Sequence, residues 1–253
     1  STPEVVDCVR HARSVVEDFH LIIVNCTDDG IIIQENAGRE DTLYVPLPAD
    51  TKGKSFAATA EFTVLVFQAM LMFDIDNLER YETLASYLQS EARRLFSSTF
   101  LEEVVSDETV AMTCMGSLEM EHLAAEAALK AVEFSGGTYL SNYTSSLEFR
   151  HGPKPIMSSP VIALCLIYPQ KEVARYDLDM MSEIAGDDNK GLVTCLTYSS
   201  LRKTDVAPAH LWQFETHEIL EQVPVAGIFL YALVFQSLAL LTAIKHGVKA
   251  DWP

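Results

Sequence analysis

The stretch "EAALKAVEFSGG", residues 126 to 137, carries Lys130 and Glu133 three positions apart. On a helix that spacing puts both side chains on one face, just before a Gly pair that ends the helix. Two readings fit. One is an exposed ion pair, worth little. The other is a carboxylate base beside a cation, which is what moving a proton between adjacent carbons near neutral pH requires. A second stretch, "SSLEFRHGPKPIM" (145 to 157), gathers Arg150, His151 and Lys154 about a Gly-Pro turn. The chain has 36 acidic side chains against 18 basic ones, so this cluster runs against the overall sign. Charged turns are common; an anion held at the turn is the chemical alternative. His151 precedes Gly152-Pro153, where the backbone is restricted, and a His on a rigid turn is an acid or base near pH 7. A structural hydrogen bond is the other use for it. "STPEVV" opens the chain with Thr2 at an N-cap, Pro3 at the first helical position and Glu4 on the dipole. The Thr2 hydroxyl and the free N–H groups beside it make either an anion site or a plain cap.

The remaining clusters lead to no metal. Glu119, Glu121, His122 and Glu126 have the spacing of a solvated helix face, and His210, His217 and Glu221 lack a recognised ligand spacing. No G-x-G-x-x-G, Walker A or G-x-S-x-G pattern occurs. Cys8, Cys26, Cys114, Cys165 and Cys195 are scattered and odd in number, which reads as reduced, buried thiols in a cytoplasmic protein. A net charge of −18 with no basic face argues against nucleic acid or an anionic membrane as partner. The opening residues lack the basic and apolar regions of a signal peptide. Gln222 to Ile244 is uncharged and long enough to span a membrane. Pro224, Gln236 and Ser237 interrupt it, and a buried helix of an α/β core reads the same way.

These residues must be positioned by alternating elements. Val5, Val6, Val9, Ala12, Val15 and Val16 predict a helix running to about Glu17. "HLIIVNC" (20 to 26) and "TLYVPLP" (42 to 48) predict strands, and long helices are expected over 55–73 and 77–96. The pattern restarts after Ser106-Asp107. Strands are expected at 109–115, 138–142, 160–168, 191–197 and 210–214. Helices are expected from Ser117 to Phe134, over 175–184, and from Pro224 onward. Such alternation predicts parallel sheets covered on both faces. "LVFQAM" begins at Leu65 and "LVFQSL" at Leu233, each in an apolar helix after a strand and a Pro-containing loop. The echo points to two copies of one α/β domain. The first copy starts at a helix with no strand feeding it, so the chain is expected to continue upstream.

"SLEFRHGPK", "EAALKAVE" and "RYDLDMMSEI" resemble the double-SIS (sugar isomerase) proteins. Within them the resemblance is to tagatose-6-phosphate ketose/aldose isomerases, also described as galactosamine-6-phosphate deaminases. "HGP" is widespread in SIS enzymes, including the isomerase domain of glucosamine-6-phosphate synthase; the flanking Arg and Lys and "YDLD" are narrower marks. The resemblance covers nearly the whole chain and implies two three-layer α-β-α domains, the first incomplete. Residues 1–76 would be the C-terminal part of the first SIS domain, 77–106 a helical connector and 107–253 the second SIS domain.

Roles follow from the resemblance residue by residue. "STPEVV" resembles the end of a phosphate-binding Ser-rich loop, with Thr2 as a phosphate hydroxyl. Glu133 would shuttle a proton between C1 and C2, with Lys130 beside it. His151 would open the sugar ring, from a neighbouring subunit in some relatives, which implies a homodimer or larger oligomer. Arg150 and Lys154 would bind substrate. Thr59 would lie near a sugar contact, although Ala58 stands where the synthase has Ser. The implied activity is isomerisation of a hexose 6-phosphate or deamination of a hexosamine 6-phosphate, with no metal or organic cofactor. The alternatives are a non-catalytic sugar-phosphate-binding regulator and a fructosamine-phosphate deglycase. The upstream Gly-rich turn, most of the Ser-rich loop and a tail beyond "ADWP" are expected to lie outside this sequence.

Overall fold

The computed structural model describes residues 2–105, 108–187, 191–198 and 209–250. Ser106 and Asp107, where the sequence pattern restarts, lie outside the described residues. The chain divides into two compact units: Ser1–Lys54 with Ala58–Phe73, and Ser55–Ala57 with Asp74–Pro253.

In the first unit, α1 (Pro3–Val15) precedes β1 (Leu21–Asn25), α2 (Ile31–Asn36) and β2 (Thr42–Pro46), and α3 (Thr59–Phe73) follows. β1 and β2 pair in parallel from Leu21↔Thr42 to Asn25↔Pro46. Val6, Ile23 and Ile32 form the small core beneath them. α3 starts later than the expected Ser55. The Glu61 carboxylate reaches back to accept the Gly53 N–H at 2.8 Å, so a loop rather than another helical turn precedes Thr59. α3 is strongly apolar, yet none of its residues is fully buried.

The second unit begins with α4 (Leu78–Phe96) and α5 (Phe100–Val104). Then come β3 (Ala111–Gly116), α6 (Glu119–Phe134), β4 (Leu140–Thr144), α7 (Ser146–Phe149), β5 (Val161–Leu166), α8 (Lys171–Gly186) and β6 (Leu192–Thr197). β7 (His210–Gln213), α9 (Ile219–Gln222) and α10 (Gly227–Lys245) complete it. All five strands are parallel in the order β4-β3-β5-β6-β7. The all-buried runs of β3 and β5 are what a sheet covered on both faces demands. One face packs Ala111, Val161, Ala163, Cys165 and Cys195 against Met180, Met181 and Ile184 of α8. α10, the apolar run that reads as a membrane span by length, packs against α6 and is a core helix, with Leu230, Tyr231, Val234, Phe235 and Leu238 at 0% exposure.

A buried ion pair fastens α4 to the sheet. The Glu91 carboxylate, 2% exposed, accepts from Arg94 Nε at 3.1 Å and Nη2 at 2.6 Å, and from the Glu215 N–H at 3.2 Å. Arg94 also donates to the Gln213 carbonyl at 2.8 Å and lies 4.3 Å over the Trp212 ring.

Candidate active site

The strand order fixes where the loops gather. β3 leads through α6 to β4 on one side, and β5 lies on the other side of β3, so the direction of winding reverses between β3 and β5. In open parallel sheets, ligands bind outside the carboxyl ends of the strands at such a reversal. Gly116-Ser117 leaves β3 there and Tyr168 follows β5. Gly116 is required, because a Cβ would lie 2.4 Å from the Met120 carbonyl oxygen, where the first turn of α6 folds back on the strand. Leu118 follows with φ 53 and ψ −129, the only positive φ of a non-Gly residue among the described residues. That conformation suits Gly and costs a Leu about 1–3 kcal/mol. Leu118 is 60% exposed and gains no packing in return. Leu118→Gly is therefore expected to raise the melting temperature by about 2–4 °C in thermal unfolding; an unchanged or lower midpoint would show that the strain is not there.

Lys130 and Glu133 stand in the last turns of α6. Gly136 and Gly137, both at positive φ, close the helix, with the Gly137 N–H on the Val132 carbonyl at 2.9 Å and the Gly136 N–H on the Glu133 carbonyl at 3.3 Å. The exposed ion pair allowed by spacing alone does not describe them. Lys130 is 5% exposed. Its ammonium lies 2.7 Å from Glu133 Oε2 and 3.2 Å from Glu126 Oε1. Burial pulls the Lys130 pKa down, but the two carboxylates outweigh it and the net shift is upward, so Lys130 stays a cation.

The His151 turn is held from several sides. Ser145 caps α7 by accepting the Glu148 N–H at 3.2 Å, half of a capping box legible in "SSLE". Phe149 is fully buried in the α8-side core. The cations flanking His151 are engaged within the fold. Arg150 meets Asp179 at 2.8 Å and Glu183 at 2.7 Å, and Lys154 meets Glu183 and, at 2.8 Å, Asp187. Contact with Asp179 raises the Arg150 pKa, and Lys154 lowers that of Glu183. His151 itself is exposed. Gly152 has open space about it and no positive φ, so the turn does not depend on glycine there.

The structure brings Lys130 to Glu133 and Arg150 and Lys154 to one side of His151, but it keeps Glu133 and His151 apart. α6 joins two parallel strands and so runs back against them. Its C-terminal end, with Glu133, lies by the amino end of β4. α6 packs against α10 on one face of the sheet, whereas Phe149, two residues before His151, packs into the α8-side core on the other, so the elements that carry the two groups lie on opposite faces. Thr2 and Thr59 belong to the first unit. Thr2 precedes α1 in extended conformation without accepting a capping bond from the helix N–H groups, and Thr59 begins α3. An apolar cleft of about 450 Å³ at the amino ends of β3, β4 and β5, lined by Val110, Leu140, Asn142, Ile156 and Val161, holds none of these residues. Sequence reasoning passed over Ser117, Ser146, Tyr168 and Asp177. The signal for them was present in Gly-Ser after an apolar strand and in "YDLD".

The architecture is that of the sugar isomerase (SIS) proteins. The resemblance to double-SIS phosphosugar isomerases read from three motifs holds along the whole chain. The crystal structure of tagatose-6-phosphate ketose/aldose isomerase from Escherichia coli superposes with a TM-score of 0.87 at 23% identity, covering 99% of this chain and 67% of that one. The C-terminal domain of glucosamine-fructose-6-phosphate aminotransferase from Francisella tularensis superposes at 0.73 with 13% identity, covering 100% of this chain and 71% of that one. In sequence the chain is 28% identical over 254 residues to a Streptomyces coelicolor protein provisionally named D-galactosamine-6-phosphate deaminase AgaS. It is 24% identical over 256 residues to D-galactosamine-6-phosphate deaminase AgaS of Escherichia coli O157:H7. Both matches cover 100% of this chain and 65% of the relative, so the chain spans just under two thirds of their length. No family model matches.

Proposed function

We propose that the protein acts on a hexose or hexosamine 6-phosphate, as an aldose/ketose isomerase or as an amino-sugar-6-phosphate deaminase converting galactosamine 6-phosphate to tagatose 6-phosphate and ammonia. The observation that carries this is the pairing of buried Lys130 with half-buried Glu133, in a chain similar along its whole length to proteins named for that chemistry. His151 opens the ring. Glu133 takes the proton from one of C1 and C2 and returns it to the other. Lys130, kept charged by its two carboxylates, offsets charge that develops on the substrate oxygens. In the deaminase, water then adds at C2 and ammonia leaves; in the isomerase the ketose departs. Neither route needs a metal or an organic cofactor. Arg150 and Lys154 keep a role in substrate binding on this reading only by sharing their charge with the α8 carboxylates. Thr2 and Thr59 are the candidate phosphate and sugar ligands of the first domain, residues 1–76, which the connector 77–106 joins to the second, 107–253.

The placement of α6, with Glu133, and of the His151 turn on opposite faces of the sheet favours an assembly in which a second copy supplies the His, hence a homodimer or larger oligomer in the cytoplasm. The test is ammonia release by the full-length protein from galactosamine 6-phosphate and glucosamine 6-phosphate. Release from the galacto sugar supports the deaminase and sets the epimer. Interconversion of tagatose 6-phosphate with its aldose, without ammonia, supports the isomerase. Tight binding with no turnover of any of these overturns the enzyme in favour of a sugar-phosphate-binding regulator.

A further inference from the structure

Asp177, on α8, is fully buried at 0% exposure. Its Oδ1 accepts from Ser117 Oγ at 2.5 Å and from Ser146 Oγ at 2.6 Å, and its Oδ2 accepts the Tyr168 N–H at 2.9 Å. Those three residues follow β3, β4 and β5 in turn, so one carboxyl group ties together three adjacent loops at the carboxyl end of the sheet. Burial pushes the Asp177 pKa up, against the pull of the three donors. Stability alone does not call for this arrangement, because a well-packed apolar side chain in its place is often no less stable. What a carboxylate adds is direction: its oxygens fix where each donor points.

Ser146 is the first residue of α7, five positions before His151. α8, which carries Asp177, continues along the turn with Asp179 and Glu183, and Asp187 follows its last residue; spaced four apart, the three take Arg150 and Lys154. We propose that Asp177 is a positioning residue for His151, holding the start of its turn through Ser146 while the α8 carboxylate stripe holds the rest. The catalytic part of this rests on the reading of His151 as the group that opens the sugar ring. The tether itself does not.

Two single-atom deletions test it in the full-length protein. Ser117→Ala and Ser146→Ala each remove one hydroxyl from the same Asp177 oxygen, but only Ser146 belongs to the His151 turn. The amide protons of Phe149 and His151, bonded to the Ser145 and Glu148 carbonyls at 3.0 and 2.9 Å, report on that turn by hydrogen exchange. Ser146→Ala and Asp177→Asn are expected to speed their exchange about tenfold, and Ser117→Ala to leave it unchanged. On the preferred hexosamine 6-phosphate, Ser146→Ala should lower kcat about tenfold with KM within about twofold, since a misplaced acid or base slows the reaction without weakening binding. Equal acceleration of exchange by the two alanine variants overturns the proposal, since Asp177 would then brace the sheet end generally. Unequal exchange in a protein that turns over no sugar phosphate sustains the tether and overturns the activity instead.

Discussion

Glu133→Gln is expected to lower turnover of the preferred sugar phosphate by about 10²–10⁴-fold, the span a lost general base commonly costs. Gln is close to Glu in shape, and Lys130 keeps Glu126 at 3.2 Å, so the ammonium is not stranded in the core. The variant should therefore fold and still bind substrate, with the loss in kcat rather than in KM. Exchange of the C2 proton with solvent should vanish along with turnover. A variant that releases product at more than about a tenth of the wild-type rate would remove Glu133 from the chemistry, because no general base is worth so little.

The largest effect on stability is expected at the other end of the second unit. Arg94→Ala leaves the Glu91 carboxylate, 2% exposed, facing only the Glu215 N–H. Removing one partner of a buried pair costs about 3–5 kcal/mol. The change also removes the bond to the Gln213 carbonyl and the contact over Trp212. For a chain of this size the melting midpoint should drop by about 6–15 °C. The double replacement Glu91→Leu with Arg94→Met should recover most of that, since no charge is left buried and unpaired. Equal losses in the single and double variants would place the cost in packing against Trp212.

Repeating elements were legible from local pattern, and tertiary partnerships were not. The strands at 161–166 and 192–197 are apolar runs bounded by turn residues, and the run of residues itself dictates them. Lys130 and Glu133 were legible as a pair, but a spacing of three holds equally for an exposed pair and a buried one; only the packing of α6 decides. The cations at 150 and 154 read as an anion site because their partners are 29 or more residues away, on α8 and just past its end. A stripe at 179, 183 and 187 does carry the four-residue helical period, and it could have been matched to them. Asp177 and Ser117 are 60 residues apart, and no local rule joins them. The echo between Leu65 and Leu233 correctly marks two apolar helices, yet α10 is largely buried and α3 is not, so identical letters do not carry identical environments.

A chain whose proposed base and proposed ring-opening group lie on opposite faces of one sheet holds two half-sites and no whole one. On the proposed chemistry, competence is then a collective property. The rate per chain depends on how many chains are present, and a lesion in either group of one copy is felt at a site shared with its neighbour. Selection on such a protein acts on the encounter between copies as much as on any residue within one.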